Sequence, residues 1–303
     1  MKIAILSNGP ANYATVRVKE VAIARGHEID IVRYDDCYAI IKSGKPIIMR
    51  RDEELTGFDA VMPFVAPRLA SYASAIIRQF ENQGAFSMTS SIAIVRANDK
   101  LRSAQILARH GIAMPETAVS RNTADIDGLI DGVGGVPVII KLARSNQGNG
   151  VVLAESKKAA RSALQALYMY NDNGTNLLVQ EYIEESAGTD IRAFVVGGRV
   201  VASMKRRSLT DDFRSNLHKG GEGVSVKLSD EERKIAIKAT KAVGLNFAGV
   251  DIMRSKRGPL LLEVNVSPGF GIEKVTNRDV ATPIIEYIER NAKHGQKKDK
   301  IGA

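Results

Sequence analysis

Residues 248–269 read AGVDIMRSKRGPLLLEVNVSPG, and this stretch is the most informative one in the chain. Two apolar runs, at 248–253 and 259–266, flank a short polar segment that ends in Gly258. Apolar runs joined by a glycine-bearing turn are typical of an antiparallel hairpin, because glycine tolerates the backbone angles that tight turns need. The sequence therefore predicts two paired strands with their turn just before Gly258.

The polar residues of this hairpin are predicted to share one face. The turn places Asp251 across from Leu262 or Glu263, and strand alternation puts Glu263 and Asn265 on the same side. Their carboxylate and amide oxygens suit a hard cation such as magnesium. An ordinary half-exposed strand pair is the alternative, and the hairpin alone favours it. The predicted apolar face carries Val250, Ile252, Leu262 and Val264.

Further strands are predicted upstream of this hairpin. A second hairpin is indicated around Gly197 and Gly198, and Ser229 followed by Glu232 is the capping-box pattern of a helix at 229–243. A glycine-bearing loop at 144–150 lies between two apolar runs, which gives the order strand, loop, strand. The strands predicted in this half are residues 136–142, 151–153, 177–182, 191–196 and 199–204.

Residues 1–90 alternate between apolar, β-prone runs and helical runs that end in glycine. This βαβ rhythm predicts a small parallel sheet with helices packed on it. The turn Ser7-Asn8-Gly9 lacks the glycine spacing of a dinucleotide fingerprint, so a dinucleotide site is not indicated. Strands are predicted at 2–6, 28–33 and 60–63, and helices at 13–25, 71–83 and 98–110.

Two lysines stand where a positive charge is unfavourable without a partner. Lys141 ends an otherwise apolar strand. Lys100 lies in the first turn of a helix, where the dipole disfavours a cation but where phosphate binds well. With Asn98 as the helix cap, Lys100 would simply point to water. The loop at 144–150 is not a Walker P-loop, yet its backbone N–H groups could close over a triphosphate; a plain hairpin tip is the alternative.

Composition excludes several classes of protein. The chain has 303 residues, of which 44% are hydrophobic and 25% charged, which is ordinary for a globular protein and argues against disorder. No apolar run approaches the length of a membrane span, so we expect no membrane partner. The single Cys37 cannot form an internal disulfide, and without an export signal a cytoplasmic location is expected.

The net charge of +9 favours acidic partners. Nucleic acid, a ribonucleoprotein surface, nucleotides and other anionic substrates all fit this balance. Part of the excess lies at 293–300, which is predicted to be a solvated, frayed end. The chain has no tryptophan and few interleaved aromatic residues, so stacking on single strands is disfavoured and no specific nucleic acid is expected.

The candidate residues follow one another in a specific order. It runs Lys100, Lys141, the loop at 144–150, Gln180-Glu181-Tyr182, Asp190-Ile191-Arg192, Arg214-Ser215-Asn216, Asp251 and Glu263-Val264-Asn265. This order resembles the ATP-grasp superfamily, and within it the RimK-type α-L-glutamate ligases. Residues 99–103, 212–218 and 263–265 are near matches to motifs of that family, and the resemblance extends from residue 1 to about 289.

The resemblance implies a mixed α/β fold, with α+β character in the ATP-grasp part. A small N-terminal domain with a parallel βαβ sheet would be followed by a two-lobed ATP-grasp fold. The implied segments are a pre-ATP-grasp domain at 1–95, a lid subdomain with the glycine loop at 96–184, a large subdomain with the metal site at 185–291 and a basic flexible tail at 292–303.

The resemblance also implies the ligands, which are ATP and two Mg²⁺ or Mn²⁺ ions. Glu181 and Tyr182 would line the adenine pocket, and Asp190 would meet the ribose hydroxyls. Lys141 and Arg214 would act in catalysis by neutralising phosphate charge. The implied nucleotide-binding residues are Lys100, Lys141, Gln147, Gly148, Gly150, Glu181, Tyr182, Asp190, Arg214, Ser215 and Asn216. The implied metal ligands are Asp251, Glu263 and Asn265.

The activity that the resemblance implies is the addition of L-glutamate to the acidic C-terminus of a protein, a small-subunit ribosomal protein in that family. The reaction would pass through an acyl phosphate and release ADP and phosphate, and a homo-oligomer is expected. Ligation of another amino acid or small-molecule acceptor, and poly-glutamate synthesis without a protein acceptor, are alternatives. A basic RNA-binding factor with a vestigial ATP site is disfavoured by the complete set of lysines and acidic residues. The chain departs from the family pattern at Arg144, 208–210 and 270–273, near the expected substrate side.

Overall fold

The computed structural model describes residues 1–142, 150–169, 176–210, 213 and 221–292. Among them, no helix combines the length and apolar character that crossing a membrane requires. The strands and helices in chain order are β1 (Lys2–Ser7), α1 (Tyr13–Ala24), β2 (Glu28–Val32), β3 (Cys37–Lys42), β4 (Lys45–Arg50), β5 (Glu53–Glu54), β6 (Ala60–Phe64), α2 (Ala70–Asn82), β7 (Phe86–Ser87), α3 (Ser91–Asn98), α4 (Lys100–Arg109), β8 (Thr117–Ser120), α5 (Ile126–Asp131), β9 (Val138–Leu142), β10 (Val151–Ala154), α6 (Lys157–Met169), β11 (Leu177–Glu181), β12 (Thr189–Val196), β13 (Arg199–Arg207), β14 (Glu222–Ser225), α7 (Asp230–Val243), β15 (Phe247–Ser255), β16 (Gly258–Asn265), α8 (Gly271–Thr276) and α9 (Ala281–Ala292).

The N-terminal strands form a parallel sheet in the order β2-β1-β6-β7. Ile5 of β1 lies opposite Ile31 of β2 and Met62 of β6. Helices α1 and α9 cover one face and α2 covers the other, so the two central strands are buried almost throughout. Burial on both faces explains why these strands read as continuous apolar runs. The predicted parallel βαβ arrangement is confirmed.

A small antiparallel sheet of β3, β4 and β5 interrupts this rhythm, and the sequence analysis missed it. Its hairpin turns at Gly44, whose φ of +69° favours glycine. Cys37 and Ile48 are buried in the core beside α2, whereas Ile41 is exposed. A Ser-Gly dipeptide between two apolar runs is the signal that predicts such a hairpin.

The second sheet is antiparallel, in the order β10-β9-β11-β8. Helices α5 and α6 cover one face, and Ile130, Val138 and Leu164 lie at the centre of that core. Strands β9 and β10 pair with each other, so the two strands predicted to flank the loop at 144–150 are confirmed, and residues 143–149 lie outside the described part of the chain. Alternation along β9 leaves Lys141 on the face that the helices do not cover.

The third main sheet, with the order β14-β13-β12-β15-β16, is also antiparallel. Helix α7 packs on one face and begins at the predicted capping box of Ser229 and Glu232. The other face meets the N-terminal domain, where the ring of Phe64 in β6 makes edge-on contacts with the rings of Phe247 and Phe270. The charged side chains of Asp190, Arg192 and Asp251 lie further along this face.

The helix predicted at 98–110 begins differently in the structure. Helix α3 ends at Asn98, and α4 begins at Lys100 with Asp99 as its N-cap. The Asp99 carboxylate accepts a hydrogen bond from the Arg102 backbone N–H at 3.0 Å. The predicted cap, Asn98, is therefore wrong by one position; both residue types satisfy free N–H groups, so composition does not separate them.

Candidate active site

The polar face of the third sheet brings three predicted metal ligands together. Asp251 of β15 lies directly opposite Glu263 of β16, and Asn265 lies opposite Gly249. The Asn265 amide Nδ2 donates to Asp251 Oδ2 at 3.3 Å and to the Gly249 carbonyl at 3.2 Å. This orientation leaves the amide oxygen Oδ1 of Asn265 available to a ligand.

A β-bulge corrects one detail of the predicted hairpin. Asp251 pairs with Glu263, but the next residue, Ile252, pairs with Leu261, so the register skips one position. Leu261 is therefore buried in the core beneath the sheet, whereas Leu262, which was predicted there, is only half-buried. A bulge adds one residue to one strand, and period-two alternation cannot anticipate it.

Two arginines hold the carboxylate of Asp251, which is only 2% exposed. The Arg192 guanidinium donates to both carboxylate oxygens, with Nη2 at 2.6 Å from Oδ2. Arg206 Nη2 lies 2.9 Å from the same oxygen, and Arg206 Nε donates to Asp190 at 2.6 Å. Two acidic and two basic side chains thus form a neutral, largely buried network, in which each charge depends on its partners.

This network keeps Asp251 ionised. Burial by itself would raise the pKa of the carboxyl group, but the charges of Arg192 and Arg206 outweigh burial, so the pKa lies below its ordinary value. An ionised carboxylate is the form that can bind a cation, because metal ligands must be deprotonated.

Asp190 has a different place from the one that the resemblance implies. Its buried carboxylate accepts hydrogen bonds from Arg206 at both oxygens. In this structure, Asp190 therefore binds and orients the Arg206 guanidinium group. A contact between Asp190 and the ribose hydroxyls stays a prediction, and it would require this ion pair to open.

The donor set fits a hard divalent cation. Within the described residues, no hydrogen bond or ion pair reaches the Glu263 carboxylate. This carboxylate, the Asn265 amide oxygen and the shared carboxylate of Asp251 are oxygen ligands of the kind that magnesium prefers. Only two of the three are acidic, and the described part of the chain contains no group of three or more His, Cys, Asp or Glu side chains placed to hold a metal. The metal-binding role of the three residues stays a prediction.

Two lysines approach Glu263 from other parts of the chain. The Lys141 ammonium donates to Gln180 Oε1 at 2.9 Å, so an amide is its partner in the apolar strand. The pKa of Lys141 is lowered to about 8, mainly by burial and then by the charge of Lys100, against the opposing effect of Glu263. Burial also lowers the pKa of Lys100, again opposed by Glu263. Two cations and one carboxylate from three separate elements therefore form one charged site.

The residues predicted for the adenine pocket follow at the end of β11. The Glu181 carboxylate accepts from the Glu116 backbone N–H at 3.1 Å and from Arg257 in the turn between β15 and β16. Tyr182 is half-buried, and burial raises the pKa of its hydroxyl group. The Glu181 side chain thus ties the second sheet to the third, and the adenine contacts of Glu181 and Tyr182 stay predictions.

Part of the predicted site lies outside the described residues. This part comprises Gln147, Gly148, Arg214, Ser215 and Asn216, together with Arg144 and the tail at 293–303. Gly150 is described, and it lies exposed directly before β10 with a φ of +66°. The roles of these residues stay predictions.

Gln180, Arg192 and Arg206 were not among the predicted binding, catalytic or metal residues, although Gln180 and Arg192 belong to the ordered motifs. Gln180 fixes the Lys141 ammonium, and a buried polar residue within an apolar strand was a usable signal, because such groups need partners. Arg206 is one of three successive basic residues at 205–207, and only the strand register shows that it faces Asp190. No local pattern singles it out.

Gly249 makes room for the network, and its replacement by alanine is expected to strain the fold. An added Cβ would lie 2.7 Å from Cβ of Pro268 and 3.1 Å from Cδ of Arg192. We expect Gly249→Ala to lower the free energy of unfolding by about 1–3 kcal/mol, measured by urea denaturation. Gly269→Ala is the control, because its added Cβ has nothing within 4 Å. Equal stabilities of the two variants would contradict the crowding.

Solved structures show the class of protein to which this fold belongs. D-cycloserine synthetase DcsG has a TM-score of 0.74 at 17% identity and covers 96% of this chain and 99% of its own. The ATP-grasp ligase PsnB, complexed with a phosphomimetic variant of minimal precursor, Mg and ADP, has a TM-score of 0.72 at 19% identity, covering 95% and 97%. These likenesses show the fold alone. The fold is that of the ATP-grasp ligases, which use ATP with a divalent metal.

The chain belongs to the RimK-like ATP-grasp family. Its RimK-like ATP-grasp domain matches residues 97–288, and the RimK PreATP-grasp domain matches residues 1–94. A curated relative from Picosynechococcus sp., described as a probable alpha-L-glutamate ligase, is 51% identical over 302 residues, which is 99% of either chain. A relative of the same description from Coxiella burnetii is 50% identical over 294 residues, 97% of either chain. The protein is therefore an ATP-dependent ligase, and the predicted family and fold are confirmed.

Proposed function

We propose that the protein uses ATP to join L-glutamate to the C-terminus of a protein acceptor. The observation that carries the proposal is the convergence of Lys100, Lys141 and Glu263 beside Asp251 and Asn265. Such a set can balance the charge of a triphosphate and its cation. The choice of glutamate is supported by the descriptions of relatives that share half of the sequence.

The chemistry would proceed in two steps. An oxygen of the acceptor carboxylate attacks the γ-phosphorus of ATP, the bond from this phosphorus to the β–γ bridging oxygen breaks, and ADP leaves an acyl phosphate behind. The glutamate amine then attacks the acyl carbon and loses a proton, and phosphate leaves as the amide bond forms. The first step brings anions together, so catalysis would consist mainly of positioning and charge neutralisation.

The residues of the site divide these tasks. The two lysines would bind phosphate oxygens, with Gln180 keeping one of them in place. Asp251, Glu263 and Asn265 would hold two divalent cations, magnesium or manganese, which neutralise phosphate charge when bound. Arg214 would supply positive charge at the phosphate and the acyl group, on the strength of the resemblance.

We propose that the domain boundaries follow residues 95, 184 and 291. This division is consistent with the two-step chemistry. The lid subdomain then carries Lys141, and the large subdomain carries the proposed metal ligands. If the second and third sheets close over bound ATP, they exclude water, which otherwise hydrolyses an acyl phosphate.

A peptide is the acceptor class that the structural neighbours favour. PsnB was solved with precursor peptide PsnA2, and the macrocyclase MdnC was solved with precursor peptide MdnA. A ribosomal acceptor follows only from the family resemblance, and an acidic C-terminus suits the net charge of +9. Another amino acid, a small-molecule acceptor and poly-glutamate synthesis are the alternatives.

The direct test combines the purified protein with ATP, magnesium and each amino acid in turn, with and without small-subunit ribosomal proteins. We expect ADP release to depend on glutamate and on an acceptor, and mass spectrometry to find glutamyl increments on one protein. Equal release with another amino acid would overturn the choice of glutamate. Release with glutamate alone would point to poly-glutamate synthesis instead of protein modification.

The lowered pKa of Lys141 predicts a pH dependence of ATP binding. Below about pH 8 the side chain is charged and can bind phosphate, whereas above this pH binding must first take up a proton. We expect the KM for ATP to rise above pH 8 by up to about tenfold per pH unit. Lys141→Arg should flatten the rise because arginine stays charged. A wild-type KM that does not change with pH would contradict this role of Lys141.

A further inference from the structure

A groove of about 410 Å³ lies outside the proposed active site, between α2, α3 and α4. The described residues that line it are three arginines, two serines and three apolar residues, and none of them has a part in the site described above. They are Ser74, Ala75, Arg78, Ser91, Ile92, Val95, Arg96 and Arg102. The groove is thus basic at its walls, with apolar side chains between the charges.

The positive charge of the groove is only partly balanced. Arg78 lies 3.7 Å from Glu81, but the Glu81 carboxylate already accepts from the backbone N–H and the hydroxyl group of Ser91 at 2.9 and 2.7 Å. Within the described residues, the guanidinium groups of Arg96 and Arg102 have no hydrogen bond or ion pair. Two guanidinium groups therefore face a cavity with their donors unused, which is the arrangement that binds carboxylates in a bidentate manner.

Helix α4 links the groove to the proposed active site. Lys100 and Arg102 are two residues apart, which is about 200° around an α-helix, so they point to opposite sides of it. Lys100 faces Glu263, and Arg102 lines the groove. The two sites are separated by about one helix diameter, roughly 10 Å. An extended chain covers this distance in about three residues.

We propose that the groove binds an acidic peptide segment of the acceptor, so that glutamate residues upstream of the reacting C-terminus are held by Arg96 and Arg102. This inference rests on the proposed function, because the acidic ligand is the product of glutamate ligation. Each glutamate that is added brings one more side-chain carboxylate to the acceptor. Charge complementarity selects the ligand class. A single-stranded nucleic acid is the weaker fit, since none of the described residues that line the groove is aromatic and could stack on a base.

The test uses a fluorescent peptide of ten glutamates and the full-length protein, with fluorescence anisotropy as the readout. The groove variant is Arg96→Gln with Arg102→Gln. The charge-matched control is Arg109→Gln with Arg121→Gln, two exposed arginines outside the groove. We expect the groove variant to weaken the Kd of the peptide by about tenfold or more, because charge-assisted hydrogen bonds are lost. The control should stay within about twofold of wild type, and both should unfold at wild-type urea concentrations.

The outcomes separate this inference from the proposed function. If the groove variant binds the peptide as wild type does, or if the control loses as much affinity, the groove assignment is overturned. If a labelled ten-residue oligouridine binds more tightly than the peptide and loses its affinity in the same variant, nucleic acid replaces the acidic peptide. Glutamate-dependent ADP release of the wild-type protein is measured in parallel. Its absence would overturn the proposed function. The peptide affinities alone test whether the groove binds the acidic segment.

Discussion

Replacement of Glu263 by glutamine is expected to reduce glutamate-dependent ADP release at least about a hundredfold while the protein stays folded. The amide keeps the shape of the side chain and removes the charge that faces Lys100 and Lys141. No hydrogen bond or ion pair to this carboxylate is seen in the described ranges, so its replacement breaks no such contact there. The free energy of unfolding should therefore change by about 1 kcal/mol or less.

Initial rates of ADP release at saturating ATP and magnesium measure the first effect, and urea denaturation measures the second. Glu54→Gln is the matched control, because Glu54 is an exposed glutamate on β5, in a sheet that carries none of the proposed site residues. This control should show wild-type rates. Near-normal turnover of Glu263→Gln would remove Glu263 from the proposed metal site.

Replacement of Asp251 by asparagine is expected to have two effects at once, a loss of activity and a loss of stability. Asp251 is buried between Arg192 and Arg206, so the neutral amide leaves two guanidinium charges short of a partner. Removing one partner of a buried ion pair costs about 3–5 kcal/mol, because the remaining charge stays buried. We expect the free energy of unfolding to fall by about 3 kcal/mol in urea denaturation.

An exposed ion pair provides the control for this variant. Asp127 accepts from Arg161 Nε at 2.9 Å, but both side chains are largely exposed. Asp127→Asn should therefore leave the free energy of unfolding close to its wild-type value, since water replaces the lost contact. If Asp251→Asn were as stable as Asp127→Asn, the buried network would not have the energetic role that its geometry indicates.

The Glu263→Gln and Asp251→Asn variants distinguish the catalytic role of the polar face from its role in stabilising the fold. Glu263 is expected to serve the reaction alone, whereas Asp251 is expected to serve both the reaction and the fold. A proportional loss of activity and stability in both variants would argue that the face is only structural. Loss of activity without loss of stability in Glu263→Gln is the result that supports the proposed metal site.

Local patterns predicted the elements that carry the site. The apolar runs around Gly258 predicted the β15–β16 hairpin, and Ser229 with Glu232 predicted the start of α7. Both are confirmed because strand alternation and helix capping depend on residues only a few positions apart. The missed β3–β4 hairpin had the same kind of local signal at Gly44, so that omission was avoidable.

The order of the motifs along the chain was more informative about the family than any single motif. By themselves, Asp251, Glu263 and Asn265 favoured an ordinary half-exposed strand face, and the lysines and the glycine-bearing loop were each ambiguous. Their succession indicated the ATP-grasp ligases, and the family matches over residues 1–94 and 97–288 confirm that assignment.

By itself, the sequence determined the β12–β13 and β15–β16 hairpins, the parallel N-terminal sheet, the family and the presence of the acidic residues Asp251 and Glu263 in the β15–β16 hairpin. Only the tertiary structure decided which charges meet. The alignment of Asp251 with Glu263 depends on a bulge, and the sharing of Arg206 between Asp190 and Asp251 depends on the order of the strands in the sheet. The approach of Lys141 to Glu263 depends on how two different sheets lie against each other. The physical reason is that hydrophobic periodicity records which side of an element is buried, whereas an ion pair depends on which other element lies against it.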